Sequence, residues 1–251
     1  MNDKNQETPV SKENKVEEVK EVKEVNTKPE PSYLIPGSIV MAGLIIAMAV
    51  FANNGGSGNM PTILDSRVAT IAQASGLDPV ELQECSSAGE YEEDVASDIA
   101  NAIATGGQGT PWTVILDTQT NSYYPLNGAF PIEQVIELLD TNFASLELTE
   151  EQQTQLAAAN PVTEEDYYRG PEDARYVFIE YSDFDCPFCA RFHETMKTLT
   201  TTRTDVGWVY RHFPLEQLHP DAKFVANVIE CAGEGGDNEE AFWQAADSYF
   251  R

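Results

Sequence analysis

The sequence predicts an α/β domain that follows an N-terminal transmembrane helix. Residues 34–52 form an apolar run without a charged side chain, which is typical of a membrane span. Residues 112–140 show the pattern of a β-hairpin followed by a helix. Residues 170–251 alternate strand and helix patterns around two closely spaced cysteines, as in a strand–helix–strand unit.

The composition is strongly acidic. The 251 residues, enough for one or two globular domains, carry 42 acidic and 15 basic side chains, a formal net charge of -27. No basic residue occurs between Arg67 and Arg169. Because nucleic-acid binders draw most of their affinity from basic patches, this composition argues against a nucleic-acid partner and indicates an acidic, solvated surface.

The apolar run is predicted to anchor the protein in the cell membrane, with residues 33–52 as a single span through the lipid bilayer. As a helix the run would be about 28 Å long, close to the hydrocarbon thickness of about 30 Å. Six lysines precede it, and the next basic residue is Arg67. The positive-inside rule therefore places residues 1–32, predicted to be disordered, in the cytoplasm and the remainder outside.

A cleaved signal peptide, with its small-residue site at 50–52, is the alternative to an anchor. A leader of about 30 residues before the apolar core is long for a signal peptide. Both interpretations place the globular part in an oxidising compartment, where disulfides persist. Residues 53–61, rich in glycine and asparagine, are predicted to be a flexible linker to the globular domain, residues 62–251.

The globular domain begins with helical patterns over residues 62–105. In the second of them Asp78 is the predicted N-cap, Pro79 the first helical residue and Gly89 the stop. The remaining predicted elements are a β-hairpin over 112–126, a helix over 131–140, a looser connector over 141–169 with one helix at 150–159, a buried strand over 176–184, a helix from 186, a strand from 206, and helices within 221–233 and 238–250.

A buried strand that leads into a helix beginning with Cys-Pro-Phe-Cys indicates redox chemistry. The unpaired N–H groups and the dipole at a helix N-terminus favour an anion, which lowers a thiol pKa from about 8.5 into a range of about 3.5–7.5. Cys186 is therefore the predicted exposed nucleophile, and Cys189 is the predicted buried thiol that resolves the mixed disulfide. Pro187 falls in the first helical turn.

The sequence leaves two other uses of these cysteines open. A zinc ion could bind Cys186, Cys189 and His193, but a closed structural site needs four ligands, and the sequence has no second Cys-x-x-Cys. Alternatively, both cysteines are inert buried thiols. No metal site and no cofactor are predicted.

Three stretches resemble the DsbA-like branch of the thioredoxin superfamily. They are FIEYSDFDCPFCARFH, YRHFPLEQLHPDA and EEAFWQAADSYF, and the resemblance covers nearly all of residues 62–251. It implies a thioredoxin fold with a helical insertion between its two units. It also implies thiol-disulfide oxidoreductase activity.

The resemblance also implies roles for residues beyond the cysteines. Glu180 corresponds to a buried acid thought to transfer protons near the resolving cysteine, the alternative being an acid on the solvent face of an edge strand. Pro111 resembles the cis-proline that faces the dithiol, the alternative being an ordinary trans proline. Thr110 would then offer backbone hydrogen bonds to a bound substrate strand. Pro187 and Phe188 are expected to contact substrate and to tune the reduction potential.

The two units occur in the reverse of the family's order. The cis-proline half, residues 62–140, precedes the Cys-x-x-Cys half, residues 170–251, and the connector 141–169 joins them. A circular permutation is the favoured explanation, because each half is present about once. The alternatives are a tandem of two damaged domains or a truncated gene, and completion of each half by another chain through domain swapping.

The other two cysteines, Cys85 and Cys231, fall in helices that the resemblance assigns to the insertion. If they pair, the disulfide links the two halves and closes a long loop. Two separate buried thiols are the alternative.

The predicted function is an extracytoplasmic thiol-disulfide oxidoreductase that introduces disulfides into exported proteins. An oxidase is favoured over an isomerase or reductase, because the sequence shows no dimerisation domain of the kind isomerases use. The implied partners are reduced or unfolded exported proteins and a membrane quinone-linked protein that re-oxidises the dithiol. A non-catalytic binding module, with a structural disulfide at Cys-Pro-Phe-Cys, is the alternative from another functional class.

Overall fold

The computed structural model describes residues 64–143 and 146–250. Within these residues the chain forms five strands and eight α-helices. The strands are β1 (Trp112–Asp117), β2 (Ser122–Asn127), β3 (Tyr167–Arg169), β4 (Tyr176–Ser182) and β5 (Val206–His212). The helices are α1 (Ser66–Ser75), α2 (Pro79–Ala88), α3 (Glu92–Ala104), α4 (Ile132–Asp140), α5 (Glu150–Leu156), α6 (Pro187–Thr202), α7 (Ala222–Gly233) and α8 (Glu239–Tyr249).

All five strands form one sheet in the order β2-β1-β4-β5-β3. Strand β1 pairs antiparallel with both β2 and β4, β4 runs parallel to β5, and β3 closes the far edge antiparallel to β5. The hairpin from the first half therefore lies directly beside the strand that precedes the cysteines. This mixed α/β architecture agrees with the predicted thioredoxin-like fold.

Strand β3 is an element that the sequence does not predict. Its residues fall in the predicted connector, for which the sequence predicts one helix and no strand. The structure instead pairs Tyr167 with Tyr210 and Arg169 with Trp208. The Tyr167 ring also stacks on Phe242 with centroids 3.5 Å apart. Three residues are too few for a period-2 pattern, so tertiary contacts decide this strand.

Local sequence signals place the ends of α2. The Asp78 carboxylate accepts hydrogen bonds from the backbone N–H groups of Val80 and Glu81, as an N-cap does. At the other end Gly89 has a φ of 68°, the left-handed conformation that ends a helix at little cost for glycine. Both predicted boundaries of this helix are confirmed.

The sheet is buried on both faces. All seven residues of β4 are buried, which explains the nearly continuous apolar run in the sequence. Phe178 belongs to the larger core, which also contains buried side chains of α4, α6, α7 and α8. Ile179 belongs to a second core on the opposite face, beside buried side chains of α3 and α5. Because side chains alternate along a strand, Glu180 shares the face of Phe178, which is the face that α6 covers.

Helices from both halves of the chain form one layer. Helices α1 and α2 of the first half pack against α7 and α8 of the second. Cys85 in α2 and Cys231 in α7 are joined by a disulfide, with their Cα atoms 6.1 Å apart. A covalent bond therefore ties the two halves together within this layer.

Among the helices of residues 64–143 and 146–250, none is both long and apolar enough to cross a membrane. The predicted tail (1–32), anchor (33–52) and linker (53–61) lie outside the described residues.

Candidate active site

The dithiol sits where β4 gives way to α6. Cys186 is the N-cap of α6, with extended backbone angles of φ -83° and ψ 119°, and Pro187 occupies the first helical turn. Proline suits this position because the N–H group that it lacks would have no partner within the helix. Cys189 lies one turn further on, on the buried side of α6. The turn thus places both sulfur atoms at the positive end of the helix dipole.

The opposing wall of the site comes from the first half of the chain. The Thr110–Pro111 peptide bond is cis, and the Cys186 Sγ lies 3.6 Å from the Thr110 carbonyl oxygen. The adjoining loop is held by Trp112, whose indole N–H donates to the Thr105 hydroxyl at 2.9 Å. The structure therefore brings together Thr110, Pro111 and the dithiol, as the resemblance implied.

The predicted exposure of the nucleophile is wrong. Only 5% of Cys186 is exposed, and Cys189 is fully buried. The reason is tertiary, because the Thr110 carbonyl lies against the Cys186 sulfur and covers it. The side chains that remain open to solvent beside it are those of Pro187 and Phe188, the latter 54% exposed.

The two thiols have opposite acidities. The Cys189 thiol donates a hydrogen bond to the Cys186 sulfur, which lowers the pKa of Cys186. The Thr110 hydroxyl and the backbone N–H groups of Phe188 and Cys189 lower it further. Burial opposes these effects, and the resulting pKa is about 5. Burial raises the pKa of Cys189 well above its usual value, and its hydrogen bond to Cys186 and the charge of Glu180 raise it further. Cys186 is therefore the thiolate and Cys189 the thiol at neutral pH.

Glu180 lies behind the dithiol in the core. Its side chain is fully buried, so the alternative of a solvent-facing acid is wrong. The Trp208 indole N–H donates to Glu180 Oε2 at 2.9 Å. Burial raises the pKa of Glu180 to about 7, and the neighbouring Cys186 thiolate adds to this, while the nearby Ser182 hydroxyl and the hydrogen bond from Trp208 oppose it. A carboxyl group with this pKa can exchange a proton near neutral pH.

Two residues that support the active-site turn are not indicated by the sequence. Asp183, whose side chain is fully buried, accepts from the backbone N–H groups of Asp185 at 2.8 Å and Leu215 at 2.9 Å. His219 Nδ1 lies 2.8 Å from Asp183 Oδ2. The backbone N–H of Asp183 in turn points to the Cys189 sulfur at 3.5 Å. His219 belongs to a stretch that carries the family resemblance, but nothing local to it indicates this partner.

His193 does not join the cysteines. Its Nε2 lies 2.7 Å from Asp247 Oδ1, and its ring packs against Trp208 and Phe250. Within residues 64–143 and 146–250, no group of three His, Cys, Asp or Glu side chains is arranged to hold a metal ion. The zinc alternative therefore has no support in the described part of the chain.

Two family models match the chain, one in each half. The model described as a DSBA-like thioredoxin domain matches residues 47–140, which contain the cis-proline. The model described as thioredoxin matches residues 162–251, which contain Cys-Pro-Phe-Cys. No solved structure gives a significant match to the chain.

Several curated proteins match a short stretch. The Na(+)/H(+) antiporter NhaA 1 of Salinispora arenicola is 39% identical over 82 residues, which are 33% of this chain and 12% of the antiporter. NhaA 1 of Mycolicibacterium vanbaalenii is 40% identical over 86 residues, 34% of this chain and 13% of that protein. NhaA of Herminiimonas arsenicoxydans is 36% identical over 86 residues, with the same two shares. The matches thus span about an eighth of the length of these curated relatives, so no transport activity is carried over to this chain.

Proposed function

We propose that this protein is an extracytoplasmic thiol-disulfide oxidoreductase. The proposal rests on the DsbA-like thioredoxin fold, which both family models and the five-stranded sheet support. The observation that carries the proposal is the contact of the Cys186 sulfur with the Thr110 carbonyl, because it assembles a helix-capping thiol and its opposing wall. Cys186 is the nucleophile in this scheme, Cys189 the resolving thiol, and Glu180 the proton exchanger.

The proposed reaction moves two electrons from a substrate dithiol to the enzyme disulfide. A substrate thiolate attacks Cys186 Sγ, the Cys186–Cys189 bond breaks, and Cys189 leaves as a thiolate and takes up a proton. A second substrate thiolate then attacks the substrate sulfur of the mixed disulfide. This step forms the substrate disulfide and releases Cys186 as a thiolate. Cys186 and Cys189 are not joined by a disulfide here, as the reduced end of the proposed cycle requires.

The surroundings of Cys186 suit a bound polypeptide. In the proposal, an extended substrate segment binds along the Thr110–Pro111 edge and forms backbone hydrogen bonds with Thr110, while the exposed Pro187 and Phe188 contact its side chains. The low exposure of Cys186 means that a substrate must approach its sulfur beside the Thr110 carbonyl. Reduced or unfolded proteins supply such flexible segments.

The acidity of Cys186 supports the oxidising direction. A stabilised thiolate favours the reduced enzyme, which makes the oxidised enzyme a stronger oxidant. The test is equilibration of the full chain with glutathione buffers, with alkylation and mass spectrometry reporting the fraction of Cys186–Cys189 disulfide. A reduction potential near or above about -150 mV supports an oxidase, while a value near about -270 mV supports the reductase alternative.

The low exposure of Cys186 favours one competing function, a binding module whose Cys-Pro-Phe-Cys segment forms a structural disulfide. Titration of the thiolate absorbance separates the two functions. The oxidoreductase requires a Cys186 pKa near about 5 and rapid reaction with a small disulfide. A pKa above about 8 with no reaction would support the binding module.

The location belongs to the same proposal. We propose a single-pass cell-membrane protein, with residues 33–52 in the lipid bilayer, residues 1–32 in the cytoplasm and the catalytic domain outside. The uncharged run and the lysines before it support this orientation. The Cys85–Cys231 disulfide supports an oxidising compartment. Exported proteins would be the substrates, and a membrane protein would re-oxidise the dithiol.

A circular permutation accounts best for the order of the halves. The two matched family models lie in separate halves of the chain, and one chain supplies both β1 beside β4 and the dithiol after β4. Neither a second chain nor a second copy of either half is needed to complete this sheet. The test is a rearranged chain in which residues 170–250 come before residues 64–140. This chain should fold with the same Cys85–Cys231 disulfide, which peptide mapping under non-reducing conditions would detect.

A further inference from the structure

Five buried side-chain oxygens around the dithiol have no hydrogen-bond partner within the described residues. Within the described residues, the side-chain oxygens concerned belong to Thr110, Thr113, Glu180, Ser182 and Tyr210. We call these five residues the polar seam. Buried polar groups are normally hydrogen-bonded, and those left without partners concentrate at functional positions. Their placement around one pair of cysteines therefore calls for a functional explanation.

The seam follows the register of the sheet. Thr113 on β1 is directly opposite Glu180 on β4, and Glu180 is directly opposite Tyr210 on β5. Directly opposite residues on neighbouring strands present their side chains on the same face. Ser182 lies two residues after Glu180 on β4, so it also shares this face, which is the face that α6 and Cys189 cover.

Ser182 shares the strand face of Glu180 and lies one residue before the backbone contact with Cys189. It is 1% exposed, and the next residue, Asp183, directs its backbone N–H at the Cys189 sulfur at 3.5 Å. Burial raises the pKa of Glu180 and of Cys189, and the Ser182 hydroxyl opposes the rise in both because it can donate to either anion. In Tyr210 burial raises the pKa in the same way, again opposed by Ser182.

We propose that the Ser182 hydroxyl relays the proton between Glu180 and Cys189 during disulfide exchange. The geometry that points to this role is a buried hydroxyl without a fixed partner, which shares the strand face of Glu180 and belongs to the residue just before the backbone contact with the resolving sulfur. A hydroxyl can accept one proton and donate another, which a methyl group cannot do. The inference rests on the proposed oxidoreductase function and deepens it.

The relay conserves protons in the forward and in the reverse step of disulfide exchange. When a substrate thiolate breaks the Cys186–Cys189 bond, the Cys189 thiolate takes the Ser182 hydroxyl proton while Ser182 takes the proton of the Glu180 carboxylic acid. The products are a Cys189 thiol and a Glu180 carboxylate. In the reverse step Cys189 gives its proton to Ser182, Ser182 gives one to Glu180, and the Cys189 thiolate attacks Cys186.

The test measures the reverse step in the full chain. The reduced protein is mixed with oxidised glutathione, and acid quenching with mass spectrometry follows the Cys186–glutathione adduct over time and pH. In the wild type the adduct should resolve with an inflection near the pKa of Glu180. Ser182→Ala should lengthen the adduct lifetime by about a hundredfold, the lower limit of general acid–base contributions. It should also lose the inflection, while adduct formation by Cys186 stays within about twofold.

Two further variants separate a relay from a packing effect. Ser182→Thr keeps the hydroxyl and should return the lifetime toward the wild-type value. Thr113→Val is the matched control, because it removes an equally buried hydroxyl that faces Glu180 from the other side. It should leave the lifetime and its pH profile unchanged.

The outcomes distinguish this inference from the function on which it rests. If the wild type forms no adduct with oxidised glutathione, the oxidoreductase proposal fails and the relay fails with it. If the wild type reacts but Ser182→Ala resolves the adduct at the wild-type rate with the same pH profile, the relay alone is overturned. An equally slow resolution of the adduct in Thr113→Val would also overturn the relay, because the general polarity of the seam would then explain the effect of Ser182→Ala.

Discussion

The Sγ atom of Cys186 lies 3.6 Å from the carbonyl oxygen of Thr110, although 76 positions separate the two residues in the chain. The contact joins the N-terminus of α6 to the loop that precedes β1. Each half of the chain therefore contributes one side of the candidate site. In the proposed function this contact matters, because the wall lies against the proposed nucleophile and would also bind the substrate.

Replacing either cysteine of the dithiol should separate the two steps of exchange. Cys189→Ser leaves the acidic nucleophile but removes the resolving thiol, so an adduct of Cys186 with glutathione should form and persist. Cys186→Ser should form no comparable adduct, because the remaining thiol is fully buried and its pKa is raised well above the usual value. Mass spectrometry of the intact chain checks both results. Equal labelling of Cys189 in Cys186→Ser would contradict the assignment of roles.

Glu180→Gln should stabilise the reduced protein at alkaline pH. Burial raises the pKa of Glu180 from 4.5 to about 7, so between these values the folded state binds more protons than the unfolded state and the free energy of unfolding falls as pH rises. Glutamine should therefore gain about 3 kcal/mol relative to wild type at pH 8 and almost nothing near pH 4.5.

Urea unfolding of the reduced proteins at several pH values measures this difference. The exposed Glu133 of α4 provides the control, since Glu133→Gln removes a carboxylate of the same chemistry from a solvated position. A Glu180→Gln difference that does not change with pH would show that the acid is ionised at little cost in the folded state.

Removing the Cys85–Cys231 disulfide should destabilise the domain without changing its chemistry. The bond closes a loop of 146 residues, for which chain entropy gives a stabilisation of up to about 5 kcal/mol, with about 2–4 kcal/mol usual in practice. Cys85→Ala with Cys231→Ala should therefore lower the urea midpoint markedly. The pKa of Cys186, read from thiolate absorbance, should stay low. A loss of Cys186 acidity would show instead that the bond holds the active-site wall in place.

The His219–Asp183 pair should stabilise the protein mainly at low pH. The hydrogen bond with Asp183 raises the pKa of His219, and the charges of Cys186 and Asp185 also raise it. The stabilisation that the pair provides is therefore fully present below about pH 6.5 and is lost as pH rises through the raised pKa of His219. His219→Gln should lower the melting temperature more at pH 5.5 than at alkaline pH.

Two comparisons make the His219 experiment specific. Gln217→Ala changes an exposed residue of the same loop and should have little effect at any pH. The His219→Gln deficit should also be smaller once Cys186 and Cys189 are oxidised to a disulfide, because the Cys186 anion is then gone. If His219→Gln lowered the melting temperature equally at every pH and in both redox states, His219 would contribute only through packing.

Much of the fold could be predicted because its signals are local. Asp78 caps a helix through bonds to residues two and three positions away, and Gly89 ends the same helix through its own φ. Cys186 and Pro187 begin α6 by the same kind of short-range rule. Strand β4 shows an apolar run because both of its faces are covered. Each of these features is determined by the residue itself and its nearest neighbours in sequence.

Other features depend on residues far apart in the chain. Strand β3 exists because Tyr167 and Arg169 meet β5 and Tyr167 stacks on Phe242. The partner of Asp183 could not be predicted, because His219 lies 36 residues away and no sequence period connects the two. The apolar run VFIEY and the family resemblance favour a buried Glu180, but a solvent-facing acid on an edge strand stays open until β1 and β5 are seen to flank β4.

The sequence by itself determined the helix-capping dithiol, the approximate elements around it and the order of the two halves, because capping and periodicity act over a few residues. Only the tertiary structure decided that Cys186 is buried, that Glu180 has its pKa raised to about 7, and that five buried side-chain oxygens without partners lie around the dithiol. Burial and acidity depend on what packs against a group from distant parts of the chain. That information exists only once β1 lies beside β4 and the Thr110 carbonyl reaches the sulfur.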